Sequence, residues 1–402
     1  MPRPAPSDIP KGFSFSAAAC GLKKSRLDLA LIVSETTAPA AAMFTKNIVQ
    51  AAPVILCREH LQRSRSRVRA IVVNAGNANC ATGAAGLMAS RLTADAASLV
   101  LGCKAIEVLV CSTGVIGVPL RVDKIIRALP GLWRSKSSKP DSFSGVTRAI
   151  MTTDTRPKWA AAHCRIGGKV VRLLGCAKGS GMIQPNMATM LAFIVTDAEL
   201  VPADLSRALR GAVRGTFNAI TVDGDTSTND TVALLANGAS DAGAIGARHS
   251  DFPRFTGALE EVCRKLALAI VEDGEGAQRV VEIEVRGART ERDADSVART
   301  IANSPLVKTA LAGGDPNWGR ILAAAGRAGV RFDPARVHIH LAGTLVCRNG
   351  LEVRFSERTV RRRMLRKFVP IRVHLRGGNA AARILTCDLT KEYIHINASY
   401  RT

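Results

Sequence analysis

The apolar residues of this chain occur in short runs, each bounded by turn-forming residues, and this pattern limits the folds open to it. Runs at residues 27–33, 68–73 and 106–110 predict β-strands in the first half of the chain. Between them, residues 84–101 and 122–129 predict helices. Strand and helix therefore alternate, which is typical of sheets covered by helices.

The second half repeats this mixture, with helices predicted at residues 203–213 and within residues 255–271. Further strands are predicted at residues 280–285, 337–341, 371–375 and 393–396. By these predictions the last third contains more strand than helix. We expect an α/β or α+β protein in which large sheets pack on each other and are covered by helices. A chain of 402 residues also exceeds the size at which one core stops growing, so at least two packed units are expected.

Composition restricts the class of protein further. Hydrophobic residues make up 47% of the chain and charged residues 22%, as in globular proteins. The apolar stretches, such as residues 266–271, are far shorter than the roughly 18 to 20 residues that cross a bilayer, so no membrane span is expected. The N-terminal residues lack the apolar centre of a secretion signal. The ten cysteines are scattered without metal-ligand spacing, which favours free thiols, no bound metal and a cytoplasmic location.

A net charge of +23 raises a competing interpretation, in which the protein binds nucleic acid or another polyanion. Residues 361–367 form the densest basic cluster. However, only 4% of the residues are aromatic, which leaves few platforms for stacking bases, and no zinc finger, homeodomain or RNP pattern occurs. An exposed helix face explains the cluster more simply, so binding to nucleic acid is the less favoured alternative.

The segment most informative about function lies in the middle of the chain. Residues 178–188 read KGSGMIQPNMA, and Thr189 follows at once. The two glycines and the proline permit and hold a sharply bent backbone, which attack of a hydroxyl on the preceding carbonyl requires. The segment therefore indicates self-cleavage between Ala188 and Thr189, giving fragments 1–188 and 189–402.

Cleavage at this bond would supply what a threonine nucleophile lacks. A hydroxyl needs an adjacent base, and the first residue of a new chain carries its own α-amine. That amine titrates at about 7.7 to 8.0 in model peptides, so it is partly neutral at physiological pH. No histidine is then required. Without cleavage, Thr189 would be an ordinary buried hydroxyl bonded to backbone.

The processing segment and eight further blocks resemble the ornithine acetyltransferase (glutamate N-acetyltransferase) family of arginine biosynthesis. In order along the chain, the blocks are residues 74–83 (NAGNANCATG), 111–117 (CSTGVIG), 151–155 (MTTDT), 223–230 (DGDTSTND), 273–277 (DGEGA), 304–310 (SPLVKTA), 315–320 (DPNWGR) and 397–402 (NASYRT). The resemblance therefore covers nearly the whole chain. It implies a layered fold in which both fragments stay associated, two copies of each.

The resemblance also implies roles for individual residues. Thr189 is the acyl acceptor, and the Thr113 hydroxyl and Gly114 N–H form the oxyanion hole. On its own, the Ser-Thr-Gly sequence at residues 112–114 is an ordinary turn. The implied substrate contacts are Thr152, Lys178, Thr189, Glu275, Asn397 and Thr402, with Thr153 indistinguishable from Thr152. Lys178 would pair with a carboxylate and Glu275 with the ammonium group of ornithine.

The resemblance thus predicts an enzyme that takes an acetyl group from N2-acetylornithine onto Thr189 and passes it to glutamate. Such exchange needs no bound cofactor. Some members of the family also accept acetyl-CoA, and no residue decides between the two cases. An aminopeptidase or amidase, in which water is the acceptor, and the polyanion-binding protein remain as alternatives.

Overall fold

The chain folds into a mixed α/β structure, which a computed structural model describes for residues 3–184 and 190–399. The strands are β1 (Phe13–Ala18), β2 (Leu29–Phe44), β3 (Arg67–Asn77), β4 (Val108–Val115), β5 (Lys158–Ile166), β6 (Lys169–Lys178), β7 (Leu191–Thr196), β8 (Thr231–Ala236), β9 (Val280–Ala288), β10 (His338–Leu341), β11 (Thr344–Arg348), β12 (Leu351–Glu352), β13 (Phe368–His374) and β14 (Ala380–Cys387).

The helices are α1 (Ala52–Arg63), α2 (Gly83–Leu101), α3 (Val122–Ser135), α4 (Pro140–Ala149), α5 (Pro202–Arg214), α6 (Phe252–Glu272), α7 (Glu291–Ala302), α8 (Pro305–Gly313), α9 (Trp318–Gly326), α10 (Glu357–Met364) and α11 (Lys391–Ser399). In the part of the chain that the structure describes, none of these helices combines the length and apolar composition needed to span a bilayer.

The larger sheet has eight strands in the order β4-β3-β2-β8-β7-β6-β5, with β1 pairing on β2. The long strand β2 joins its two halves, because its first part pairs with β3 and its second part with β8. The β2–β3 register shifts between Val33 and Ala38, the kind of irregularity that lets a strand bend. Side chains from both halves share one core, so the sheet is folded over on itself.

Inward and outward side chains alternate along the strands, so that apolar cores form between four layers: helices, two stacked sheet halves, and helices. Ile71 of β3 and Phe193 of β7 point inward and pack in the core between the two halves. Their neighbours point outward: Val72 packs in a core with residues of α2 and α3. Ile194 packs in a core with residues of α5 and α6. The period of two in the apolar sequence thus fills cores on both faces of each half. This arrangement confirms the predicted fold class of stacked sheets covered by helices.

The second sheet has six strands in the order β12-β11-β10-β13-β9-β14, with β13 and β9 parallel. Residues of α7, α8, α9 and α10 share a core with it. In α10, Val360 and Met364 are buried whereas Arg361 and Arg362 are exposed. The first part of the basic cluster therefore lies on an exposed helix face, as the sequence indicates, whereas residues 365–367 are exposed beyond the end of α10.

Two expectations about the C-terminal third are wrong. Residues 393–396, predicted as a strand, lie within α11. A strand needs a neighbour for its N–H and C=O groups, whereas a helix satisfies its own, and this segment pairs with no sheet. Helices α7 to α11 also contain more residues than strands β9 to β14, reversing the expected balance.

Candidate active site

One cavity of about 230 Å³ brings together most of the residues that the sequence singles out. Its walls include Thr113, Gly114, Thr152, Thr153, Lys178, Glu275 and Asn397. These residues come from the ends of β4 and β6, from loops after α4 and α6, and from α11. Ala188, Thr189 and Thr402 lie outside the described residues. Met190, which follows Thr189 in the chain, also lines the cavity.

Thr113 and Gly114 lie near the end of β4, which continues to Val115 instead of ending before residue 112. The parallel register between β3 and β4 shifts at Gly76 and Asn77, beside these two residues. Gly114 has a φ of +131°, and a β-carbon there would collide with the backbone of Gly76. Only glycine fits this position, which brings a backbone N–H and a hydroxyl to the cavity wall.

Lys178 at the end of β6 connects the two halves of the folded sheet. Its Nζ donates a hydrogen bond to Thr113 Oγ1 at 3.1 Å. Burial lowers the pKa of Lys178 below the usual lysine value, the Asp154 carboxylate opposes this shift, and the Lys158 ammonium adds to it. Because a hydroxyl that accepts this bond keeps its own proton, Thr113 remains able to donate to another oxygen.

A fully buried ion pair that the sequence analysis missed lies behind the cavity wall. Lys158 Nζ is 2.6 Å from Asp154 Oδ1 and 2.5 Å from Asp273 Oδ2. The Asp154 carboxylate also accepts the N–H of Gly179 at 2.8 Å and that of Thr152 at 2.9 Å. The pair therefore holds both the start of the processing segment and a threonine of the cavity.

Electrostatics keep this carboxylate charged. Burial would raise the pKa of Asp154, but the Lys158 and Lys178 ammonium groups hold it well below its usual range. Both aspartates of the network belong to sequence blocks noted above, residues 151–155 and 273–277. Their partner Lys158 follows the first block by only three residues, yet nothing in its sequence context distinguishes it from an exposed lysine.

Glu275 supplies a buried carboxylate to the cavity, with only 6% of its surface exposed. Its Oε2 accepts a hydrogen bond from Asn397 Nδ2 at 2.8 Å. A β-carbon at residue 181 would collide with this carboxylate, so Gly181 allows it to approach the processing segment. Asn397 and Glu275 are therefore direct partners, although 122 residues separate them.

Asp223, which begins the block at residues 223–230, and Tyr393 also line the cavity, and the sequence analysis gave neither residue a role. The Asp223 carboxylate accepts the backbone N–H of Met182 at 2.6 Å and of Ile183 at 2.8 Å. The Tyr393 hydroxyl donates to Asp223 Oδ2 at 3.4 Å. Burial raises the pKa of Asp223 and, together with the nearby Asp223 charge, the pKa of Tyr393. Asp223 thus connects the processing segment to α11.

Asn229 fixes the strand that carries Thr113. Its Nδ2 donates to the carbonyl oxygens of Ala78, at 2.6 Å, and Ser112, at 2.8 Å. The side chain is buried, and Asn229 itself lines the cavity. Asn229 belongs to the block at residues 223–230, which the sequence analysis marked as similar to the family. Its contact with Ser112, however, depends on the fold.

The cavity has the groups that an acyl transfer between amino acids requires. A hydroxyl and a backbone N–H lie side by side on β4, where they can bind a carbonyl oxygen that becomes negative. The cavity is lined by one ammonium, that of Lys178, and by four acidic residues, which are Asp223, Asp225, Asp230 and Glu275. Groups of both signs can pair with the carboxylate and the ammonium of a free amino acid. Among residues 3–184 and 190–399, no three His, Cys, Asp or Glu side chains are grouped so as to hold a metal ion.

Comparison with known proteins identifies one family over nearly the whole chain. The model of the ArgJ family matches residues 14–402. "Arginine biosynthesis bifunctional protein ArgJ" of Chlorobaculum tepidum is 45% identical over 394 residues, covering 98% of this chain and 96% of the relative. The protein of the same name from Chlorobium chlorochromatii is 48% identical, covering 98% of this chain and 91% of the relative.

A solved structure is also similar. The crystal structure of arginine biosynthesis bifunctional protein ArgJ from Bacillus halodurans matches with a TM-score of 0.50 and 39% identity. The match covers 98% of that solved chain but 52% of this one.

Taken together with these matches, the stacked sheets and the cavity at their edge are those of an acyltransferase that acts on small molecules. The chain belongs to the ArgJ family, and its enzymatic class is that of the acetyltransferases of arginine biosynthesis.

Proposed function

We propose that this chain moves the acetyl group of N2-acetylornithine to glutamate through an acetyl ester on Thr189. The observation that carries the proposal is the convergence of Thr113, Gly114, Lys178 and Glu275 on one cavity, which Met190 also lines. Family membership supports the same activity, since the relatives are named for arginine biosynthesis.

The reaction follows from these groups. The Thr189 hydroxyl attacks the acetyl carbonyl while its own α-amine takes the proton. The negative oxygen then accepts hydrogen bonds from the Thr113 hydroxyl and the Gly114 N–H. The C–N bond to ornithine breaks, and the amine returns the proton to the leaving nitrogen. Glutamate's amine attacks the ester in the second half, which frees Thr189.

Substrate binding uses the charged walls of the cavity. Lys178 pairs with the substrate carboxylate, and Glu275 pairs with the side-chain ammonium of ornithine. The hydrogen bond from Asn397 orients the Glu275 carboxylate for this role. Thr152, or its neighbour Thr153, supplies a hydroxyl, and Thr402 completes the site from the C-terminal end.

Formation of this site includes cleavage of the chain before Thr189, into fragments 1–188 and 189–402. The solved Bacillus halodurans chain supports the division, because it is covered almost completely by a match to about half of this chain. Two hydrogen bonds support it too: the Gly179 N–H donates to Asp154 and the Met182 N–H donates to Asp223. They hold the backbone that leads to the cleaved bond.

Mass spectrometry tests both parts of this proposal. We expect two chains, one ending at residue 188 and one beginning at residue 189. Incubation with N2-acetylornithine alone should add one acetyl group to the second chain, and glutamate should remove it. The Thr189→Ala variant should remain one 42.6 kDa species without transfer activity, whereas Thr189→Ser should still cleave. Full activity of an uncut chain would contradict the proposal.

The printed name of the relatives favours a second activity at the same nucleophile, because it calls them bifunctional. In this activity acetyl-CoA replaces N2-acetylornithine as the donor, and glutamate remains the acceptor. An assay with glutamate and acetyl-CoA as the only donor tests it directly. Formation of N-acetylglutamate supports the second activity, and its absence in an enzyme active with N2-acetylornithine excludes it.

Two copies of each fragment form the enzyme, which acts in the cytoplasm. The similarity of the sequence blocks to the ornithine acetyltransferase family supports this assembly. Light scattering should give a mass twice that of the chain. A mass equal to one chain would contradict the assembly, and a secreted form would contradict the location.

A further inference from the structure

A second cavity, of about 780 Å³, adjoins the candidate active site. Thr152 and Thr153 line both cavities, so the two share a wall. Helix α11 lies at both as well, with Asn397 in the first and Ile396 in the second. The adjoining cavity is large enough for a bulky ligand, whereas the first suits an amino acid.

The adjoining cavity has an apolar side. Its apolar lining consists of Leu27, Met151, Pro157 and Ile396. These residues come from three separate parts of the chain, and Met151 and Pro157 flank the shared threonines in sequence. An uncharged, partly apolar ligand segment can therefore lie here and reach the shared wall.

The charged lining of the adjoining cavity is predominantly basic. It contains Lys23, Arg26 and Arg148, the two arginines being exposed. Within the described ranges, no carboxylate lies at salt-bridge distance from any of the three. Asp154 is the one acidic side chain among the lining residues, and its charge is already paired with Lys158.

Lys23 adds a positive charge that is fixed in place. Its Nζ donates to the carbonyl oxygens of Met151, at 2.5 Å, and Ala149, at 3.2 Å. Burial lowers the pKa of Lys23 to about 8, so the group is still mostly protonated at neutral pH. An anion that enters this cavity meets three cations and no free carboxylate among the described lining residues.

We infer that the adjoining cavity binds the carrier part of a phosphorylated thioester donor such as acetyl-CoA. The apolar side takes the pantetheine arm, Arg26 and Arg148 bind the phosphates, and the thioester passes the shared threonines toward Thr189. The inference rests on the proposed function, because it needs the same nucleophile. The ester C–O bond forms, the C–S bond breaks, and the hydroxyl proton leaves with the free thiol.

Charge reversal at the rim tests the inference with three donors. The variants are Arg26→Glu, Arg148→Glu and their combination, each assayed in the processed enzyme with glutamate as acceptor. The matched control is Arg165→Glu, an exposed arginine of β5 that likewise bonds a nearby backbone carbonyl. The donors are acetyl-CoA, S-acetylpantetheine, which lacks the phosphates, and N2-acetylornithine.

For acetyl-CoA, we expect each reversal to lower kcat/KM about tenfold through KM, and the double variant more, with the loss shrinking at high salt. Transfer from S-acetylpantetheine and from N2-acetylornithine should change less than about twofold. Arg165→Glu should behave as wild type with all three donors.

Three results would overturn the inference. They are an unchanged KM for acetyl-CoA in the double variant, an equal loss with all three donors, and a wild-type enzyme that uses N2-acetylornithine but not acetyl-CoA. The last leaves the proposed function standing. A wild-type enzyme without transfer from N2-acetylornithine contradicts the proposed function instead, so the two failures are distinguishable.

Discussion

At the scale of single residues, the candidate oxyanion hole depends on one hydroxyl and one glycine. Thr113 keeps its proton for a reacting oxygen because Lys178 donates to its oxygen. Gly114 is required by its positive φ and by the closeness of Gly76. The residue types alone indicate neither the hydrogen bond from Lys178 nor the restricted space at Gly114, since a Ser-Thr-Gly sequence is common in turns.

Thr113→Ala should therefore lower kcat about 100- to 1,000-fold with little change in KM, as loss of one oxyanion donor does. Thr113→Ser, which keeps the hydroxyl, should retain most of the activity. Steady-state kinetics with N2-acetylornithine and glutamate measure both. A change confined to KM would show that Thr113 binds substrate instead of stabilising the transition state.

Lys23 gives a pH dependence at the same scale. Its pKa is lowered by burial from 10.5 to about 8, so between these values the unfolded chain binds more protons than the folded one. The contribution of Lys23 to stability is therefore fully present above pH 10.5 and is lost as the pH falls through about 8.

Relative to Lys23→Met, the wild-type protein should thus gain thermal stability between about pH 8 and 10.5. The gain is modest because the side chain is only half-buried. Differential scanning fluorimetry of both proteins across this range measures the difference in Tm. A constant difference across the range would show that the Lys23 charge costs nothing on folding.

At the scale of elements, the ion pair behind the cavity joins β5 to the loop after α6. Lys158 at the start of β5 is fully buried between Asp154 and Asp273. Lys158→Met would leave two buried carboxylates without their cation, so it should destabilise the protein by about 3 to 5 kcal/mol. Self-cleavage should slow as well, because Asp154 holds Gly179.

Lys265→Met is the matched control, since Lys265 forms an exposed pair with Glu261 on α6. It should change stability by less than about 1 kcal/mol. Urea denaturation midpoints and the fraction of cleaved chain over time measure the two effects. Equal stability of both variants would mean that water or a neighbouring group replaces the buried cation.

Helix α11 is the other element on which the site depends. Its Tyr393 and Asn397, one helical turn apart, both reach the cavity. We therefore predict that adding several residues after Thr402 lowers kcat/KM about tenfold or more without changing Tm, because small displacements of binding groups are costly. The same extension placed before Met1 is the control. Unchanged turnover would remove Thr402 from the site.

At the scale of the whole molecule, the bond before Thr189, where we propose cleavage into two fragments, lies between two strands that pair with each other. Strand β6 precedes the bond and β7 follows it, and β8 pairs with β2 from the other fragment. The central core also draws side chains from both fragments. Each fragment by itself would therefore expose paired strand edges and a large apolar surface.

The cleaved fragments should accordingly stay together in native buffer and separate only in denaturant. Size-exclusion chromatography of the processed enzyme should give one peak that contains both chains, at the position of the uncut Thr189→Ala variant. Separation of the fragments without denaturant would contradict this prediction and would require refolding of β7 and β8 outside the sheet.

The sequence by itself predicted the layered fold class and some of the strands and helices, because periods of two and 3.6 in apolar residues record which faces are buried. It also marked the blocks that supply the cavity, since glycines and hydroxyls there follow patterns of the family. Only the tertiary structure decided that residues 393–396 are helical and that Lys158, Asp223 and Asn229 support the site. Apart from the contact of Lys158 with nearby Asp154, their partners lie 40 to 170 residues away along the chain, and local sequence carries no information on such distant contacts.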